Sequence, residues 1–333
     1  MVNQNRRATL KAAFAAAAAG WSTTSSINVF AQALPDNARI LVGYPAGGAV
    51  DLIARRIAEQ LVGKLAKAVI VDNRPGASGR IAVDIAKQSP ADGLTLLLNP
   101  AGVLTINPHT YKKSNYDPFK DFAAISLTAM IDFGFAIGPS VPASVTNLAE
   151  FIVWARANPG KVSFGSPAAG APPHFVGDLL SRQYTLGMTH VPYRGGAPAL
   201  ADTMGGQISA IVLTLGDLLQ PAKAGKLRIL ASTGVVRSPF APDVPTFAEQ
   251  KVSGLDVRDW FGLFIVGAPA PEVIAKTIAL VNPILKSPQY AQGVASLGIE
   301  AAASTPAEVD RLIRVDYARW GEIVKASGFV ADA

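Results

Sequence analysis

Five short loops rich in glycine, alanine and proline are where this chain could do chemistry: Pro45-Ala46-Gly47-Gly48, Asn73-Arg74-Pro75-Gly76-Ala77-Ser78-Gly79, Asn99-Pro100-Ala101-Gly102, Ser166-Pro167-Ala168-Ala169-Gly170 and Arg194-Gly195-Gly196-Ala197-Pro198. Small residues let an anion approach the main chain closely. Where a helix begins at such a loop, its free N–H groups attract a carboxylate. That attraction is typically worth about 0.3–1 kcal/mol, rising to about 2 kcal/mol when partly buried. Any one loop could equally be a tight turn between a strand and a helix. Several of them facing one another could hold a carboxylate mainly by main-chain donors, and micromolar affinity needs only about −8 kcal/mol.

Single side chains add to this reading. Asp51 opens the helix after the first loop. It could stabilise that helix end, or hold a ligand amine or hydroxyl, since a bare carboxylate there would repel an anion. His174 begins another helix and could make a structural hydrogen bond or touch ligand. Tyr193 could reach a cleft with its hydroxyl or simply pack. Asn73 and Arg74 read as braces of their loop. Ser78 and Asp217 are cleft candidates by loop position.

Other chemistries lack their residues. With no cysteine, disulfides, thiolate–zinc sites and thiol nucleophiles are excluded. No two glycines are separated by a single residue, so the dinucleotide fingerprint cannot occur. There is no phosphate loop of the GxxxxGK[ST] kind and no GxSxG nucleophile elbow. His109, His174 and His190 are too widely spaced for a local metal motif; a triad assembled from distant residues stays open. No cofactor or metal is expected. No Lys/Arg run with interleaved aromatics is present, so nucleic acid is not an expected partner.

The loops sit at regular places among the elements. Ile40–Tyr44, Ala68–Val71 and Leu94–Leu98 are apolar runs of strand length, each followed by one of the loops. A helix with Ile53, Ile57, Leu61 and Leu65 on one face follows the first. A second helix is expected from Arg80 to Gln88. Val162–Phe164 and Thr189–Tyr193 repeat the plan, with Pro172 and Pro173 in the first turn of a helix from His174 to about Arg182. Further strands are expected at Ile208–Leu213, Leu227–Ser232 and Phe261–Val266, and a helix at Pro271–Leu285. The last helix has Thr305 as N-cap, Pro306 at its first position and Glu308 completing a capping box, with Val309, Leu312, Ile313, Trp320 and Val324 as its apolar face and Gly328 as its stop. Strand, loop and helix in alternation predict a mostly parallel sheet flanked by helices on both faces. Loops at the carboxyl edge of such a sheet are where ligands bind.

The chain starts with a targeting pattern. Arg6, Arg7 and Lys11 precede an apolar run from Ala12 to Gly20, and Ala31-Gln32-Ala33 offers a small-residue cleavage site before Leu34. Asn5–Lys11 also resembles a twin-arginine signal, with Thr9 where a larger apolar residue is usual. Residues 1–33 are therefore expected to be an export signal, by the general or the twin-arginine route. They hold three of the 30 basic residues and no acidic one, so the mature chain has 27 basic against 24 acidic residues and a net charge of +3. Half of all residues are apolar and 16% are charged, as in a well-buried globular protein. No later stretch is long enough to span a bilayer, so a periplasmic, soluble product is expected.

Tyr44-Pro45-Ala46-Gly47-Gly48 with Asp51 and Ala54-Arg55, and Val71-Asp72-Asn73-Arg74-Pro75-Gly76-Ala77, resemble the first two motifs of the Bug-type substrate receptors of tripartite tricarboxylate transporters. Tyr116-Asp117-Pro118, Asn158-Pro159-Gly160-Lys161, Gly165-Ser166-Pro167 with His174, His190-Val191-Pro192-Tyr193, Gly205-Gly206-Gln207, Gly225–Arg228 and Pro242–Thr246 follow in the family's order. The resemblance implies a type II-like periplasmic-binding-protein fold with a cleft between two α/β lobes. Residues 34–134 plus 238–333 would form lobe one and 135–237 lobe two, with crossings near Gly134–Gly138 and Ser232–Ser238. It also implies a small carboxylate solute, a membrane permease as partner, and a monomer. Tyr44, Pro45, Ala46, Gly47 and Gly48 would form one jaw, and Ser166, Pro167, Ala168 and Gly170 the other. Tyr44 stands where phenylalanine is frequent, and Asn99-Pro100-Ala101 where small hydroxyl residues are common. Two other functions stay open: an exported hydrolase or lyase with a dispersed site, and a ligand-dependent periplasmic sensor.

Overall fold

The computed structural model describes residues 34–331; the export segment and its cleavage site lie outside the described residues. The first strand, β1 (Asn37–Val42), leads through the first loop into α1 (Ala49–Leu61), then β2 (Ala68–Asn73), α2 (Arg80–Lys87) and β3 (Thr95–Pro100). Ile53, Ile57 and Leu61 are fully buried on one face of α1, as their spacing predicts. Leu65 is buried too, but in the turn beyond the helix. Gly63, at φ +72°, has already ended α1.

Two short helical turns, α3 (Gly102–Thr105) and α4 (Asn107–Thr110), precede β4 (Phe122–Ile137), a strand of 16 residues. Then come α5 (Leu148–Ala157), β5 (Ser163–Ser166), α6 (Pro172–Gln183), β6 (Thr189–Pro192), α7 (Gly196–Met204), β7 (Ala210–Thr214), α8 (Leu215–Lys223) and β8 (Arg228–Ser232). The chain closes with β9 (Arg258–Val266), α9 (Pro271–Leu285), α10 (Pro288–Ala295), β10 (Glu300–Ala301) and α11 (Pro306–Ser327). In α11 the capping box forms as expected, and Gly328 stops the helix at φ +69°.

The strands run in the order β2-β1-β3-β9-β4-β7-β5-β6, with β8 and β10 also on β4. Two parallel triplets, β2-β1-β3 and β7-β5-β6, give the α/β architecture that the alternating pattern predicts. Between them the sheet is antiparallel: β9 runs against both β3 and β4, and β4 against β7 and β8. Taken as one, the sheet is mixed, with mostly parallel strands in each half and an antiparallel centre.

β4 belongs to both halves of the sheet. Phe122–Asp132 pairs with β9, while Phe133–Ile137 pairs with β7. Where partners change, Asp132 accepts from Arg258 Nε at 2.8 Å and Arg258 Nη2 reaches Glu300 at 2.6 Å. One residue later, Phe133 exchanges hydrogen bonds with Thr233: its N–H donates to Oγ1 and its carbonyl accepts the Thr233 N–H, both at 2.9 Å. This arrangement sets the carboxyl edges of the two parallel triplets as separate groups of loops.

Candidate functional site

The first loop is braced from behind. Asp51 is buried, and its carboxylate accepts the Gly47 N–H at 2.8 Å, Arg55 Nε at 2.9 Å and Asn73 Nδ2 at 3.0 Å. Asn73 also donates to the Tyr44 carbonyl at 3.2 Å. Burial pushes the Asp51 carboxyl up, but the hydrogen bonds from Arg55, Gly47 and Asn73 outweigh it and hold the group below the usual range. Of the two roles open to Asp51, bracing is the one its contacts fill. Arg74 pairs with Asp72.

The start of α1 is left open. Gly48 is its N-cap, and no side chain caps the first turn. The orphan N–H groups there have no capping oxygen. Gly47 has φ +86°, and a Cβ on it would meet nothing within 4 Å, so this backbone borders open space. The cavity it borders measures about 770 Å3. Ala46–Ala49 and Leu52 form one wall. Gly196, Ala197, Leu200, Leu213 and the face of α8 carrying Gly216, Asp217, Leu219, Gln220 and Lys223 form the other. Phe240 and Ala295–Ile299 close one side. Gly216 lets the start of α8 touch the turn at Leu297-Gly298: a Cβ there would strike the Leu297 carbonyl.

The cavity thus gathers Ala46, Gly47, Gly48 and Asp217 from the sequence candidates. Tyr44 and Pro45 adjoin it in the chain without lining it. The Tyr44 ring turns inward to pack near Gly79 and Val103; burial, then the neighbouring Asp259, pushes its hydroxyl well above the usual range. Asp259 itself is buried, and burial raises its carboxyl to about 7. Asn99 lies beside them with Oδ1 accepting from Gly43 N–H at 3.4 Å, while its buried Nδ2 has no partner among the described residues. Ser78 takes a left-handed conformation and accepts from the Tyr111 hydroxyl at 3.3 Å.

The second group of candidates is held together by its own hydrogen bonds. Ser166 is fully buried, and its hydroxyl donates to the Ala168 carbonyl at 3.0 Å. With that hydrogen committed, the oxygen accepts from His190 Nε2 at 2.7 Å. His190 stacks on His174 with ring centroids 3.8 Å apart, and His174 Nδ1 accepts the Gly170 N–H at 3.1 Å. Burial lowers both imidazoles, His190 to about 3 with help from His174, so both are neutral near pH 7. Gly170 backs onto Phe329, and the Pro167 carbonyl accepts from Gly195 at 2.9 Å. Tyr193 donates its hydroxyl to Asp202 at 2.8 Å; burial, then this bond, pushes the phenol up to about 12. Ser166, Pro167, Ala168, Gly170, His174 and Tyr193 therefore shape one loop cluster, apart from the lining of the measured cavity.

Sequence reasoning did not single out the face of α8 beyond Asp217, nor Phe240, nor Ala295–Ile299. The first follows the end of β7 and could have been found by continuing the strand–loop–helix rule. The last carries no local pattern, because tertiary folding alone brings it to the first loop. Among the described residues, no group of three or more His, Asp or Glu side chains is placed to hold a metal ion.

The model of the tripartite tricarboxylate transporter receptor family matches residues 53–329 of this chain. The chain belongs to that family. Among curated relatives, the UPF0065 protein of the tcbD-tcbE intergenic region of Pseudomonas sp. strain P51 is 30% identical over 285 residues, covering 85% of this chain and 84% of its own. Among solved structures, R. palustris Rpa4515 with adipate has a TM-score of 0.81 at 29% identity, covering 89% of this chain and 98% of its own. The periplasmic binding protein BugD has a TM-score of 0.79 at 27% identity, covering 89% and 99%. The receptor family and its α/β solute-binding fold are thus those the sequence motifs imply. No described helix is long and apolar enough to cross a membrane.

Proposed function

We propose that this chain is an exported periplasmic receptor that captures a small carboxylate-bearing metabolite and passes it to the membrane permease of a tripartite tricarboxylate-type transporter. The observation that carries this reading is the uncapped start of α1, bordering a cavity of about 770 Å3 with Gly47 and Gly48 at its edge. Main-chain donors at such an end suit a carboxylate. Membership of a receptor family supports it, as does the adipate of the R. palustris neighbour.

In this reading the first loop is one jaw, and the second is built from the α8 face with the Ser166–Gly170 loop behind it. The lobes are residues 34–134 plus 238–333 and residues 135–237. They move about the strands near Gly134–Gly138 and Ser232–Ser238, and the receptor acts as a monomer. Residues 1–33 are removed on export, leaving Leu34 first.

Two measurements test the proposal. Melting curves against a panel of mono-, di- and tricarboxylates should show a saturable rise for at least one acid, with the acid recovered unchanged by NMR. Turnover of the acid would replace the receptor with an enzyme. Fractionation should find the mature chain in the periplasm beginning at Leu34.

A further inference from the structure

The last helix reaches into both of the proposed lobes. α11 has 22 residues and so runs for about 33 Å. Its first half is anchored in lobe one. Val309 and Ile313 are buried with Leu104, Trp260 and Phe264. The Trp260 indole donates to Asp316 at 2.8 Å, and Arg319 donates to the Asp256 carboxylate at 3.0 Å. Its second half is anchored in lobe two. The Trp320 ring lies against Phe175 of α6, with centroids 5.7 Å apart. Arg182, also on α6, donates to the Ala326 and Ser327 carbonyls at 2.9 and 2.8 Å. Phe329, just past the helix, stands edge-on to Phe175, and a Cβ on Gly170 would strike it.

Gly321 stands where the anchoring changes. A Cβ there would lie 2.9 Å from the His109 ring. His109 Nε2 donates to the Tyr317 carbonyl at 2.9 Å. Helical geometry assigns that same carbonyl to the Gly321 N–H. Glycine loosens a helix interior, and helices bend where glycine or an intruding side chain disturbs the hydrogen-bond ladder. Both occur in this one turn. The short helix α4 that carries His109 also holds the tail, since the Ala331 N–H donates to the Thr110 carbonyl at 2.9 Å. We propose that α11 is a third crossing between the lobes, that it bends at Gly321 over His109 as the cleft opens and closes, and that residues 320–331 travel with lobe two. This inference rests on the two-lobe receptor reading and redraws its boundary. The stiffness of that turn then helps set how often the empty receptor closes, and with it the apparent affinity.

The test measures interlobe distances on the mature chain without added solute. The chain has no cysteine, so Lys64→Cys in lobe one and Lys161→Cys in lobe two, both exposed, place one spin label on each for pulsed electron resonance. Two backgrounds are compared. His109→Ala clears the space beside α11; His109→Ala with Gly321→Ala puts a methyl into that space and stiffens the turn. The distance distribution is expected to be at least twofold narrower in the second. Arg182→Gln, which unfastens the far half of α11, should broaden the distribution of the otherwise unaltered chain. If the two backgrounds give the same distribution, α11 does not bend at Gly321, and the inference falls while the receptor reading stands. Should the double variant fail to fold, Arg182→Gln decides alone, and an unchanged distribution overturns the crossing. If the otherwise unaltered chain gives one sharp distance that no acid of the panel moves, the two-lobe movement falls and the inference with it.

Discussion

Asp51 and Gly47 divide the work of the first loop between them. Asp51 holds the loop closed from the protein side, and Gly47 leaves its cavity side bare. Asp51→Ala strands the Gly47 N–H and the Asn73 amide, and charged-group hydrogen bonds of this kind are worth about 1.5–3 kcal/mol each. The expected loss in urea unfolding is about 2–3 kcal/mol, with Asp51→Asn milder. Gly47→Asp puts a charge where the solute carboxylate is proposed to sit and forces a side chain onto φ +86°, a strain of about 1–2 kcal/mol. Carboxylate affinity should fall at least a hundredfold by calorimetry while the fold survives; unchanged affinity would remove this loop from the jaw. The stacked histidines act through protons. His190 is held near 3 and His174 is also lowered, whereas both titrate near 6.5 in the unfolded chain. Between those values the unfolded chain takes up protons that the folded one refuses. Their stabilising effect is thus complete above about pH 6.5 and declines toward pH 3, by at most about 1.4 kcal/mol per pH unit for each ring. His190→Gln should flatten part of the fall in stability measured between pH 7 and pH 4.5.

Elements with local signals are legible in the sequence, and those made by pairing are not. The start of α11 can be read because Thr305, Pro306 and Glu308 each do a job within one turn. The first face of α1 can be read because Ile53, Ile57 and Leu61 repeat with the helical period. β4 is harder: its 16 residues, Phe122–Ile137, are almost continuously buried, so neither alternation nor a turn marks where one partner gives way to the next. The antiparallel course of β9 is equally invisible, since direction depends on what lies beside a strand. The same limit explains the site. Gly47, Gly48 and Asp217 follow strands and can be placed by rule, whereas Leu297-Gly298 reaches the cavity only through tertiary folding. That turn has its own test. Gly216→Val would push the start of α8 off the Leu297 carbonyl and hold the two walls apart. Carboxylate affinity should drop at least tenfold with a larger radius of gyration in X-ray scattering; an unchanged radius and affinity would show the contact is not needed.

At the scale of the whole molecule, the strand order ties the two halves together more firmly than the loops alone would. The parallel triplets were foreseeable from the alternation of strand, loop and helix; the antiparallel centre joining them was not, because it depends on a return strand more than a hundred residues away. β9 stands between β3 and β4 in the first half of the sheet, yet it comes after everything in the second half has been made. A fragment comprising residues 34–237 should therefore stay largely unfolded by circular dichroism and regain structure when residues 238–333 are supplied; a cooperative melt of the fragment alone would contradict this. The placement of β9 also has a temporal consequence. A growing chain cannot close its first layer until residue 266 leaves the ribosome, and pairings between such distant segments form slowly. Synthesis is therefore well ahead of folding, which leaves an interval in which the chain can still be threaded, unfolded, through a narrow conduit.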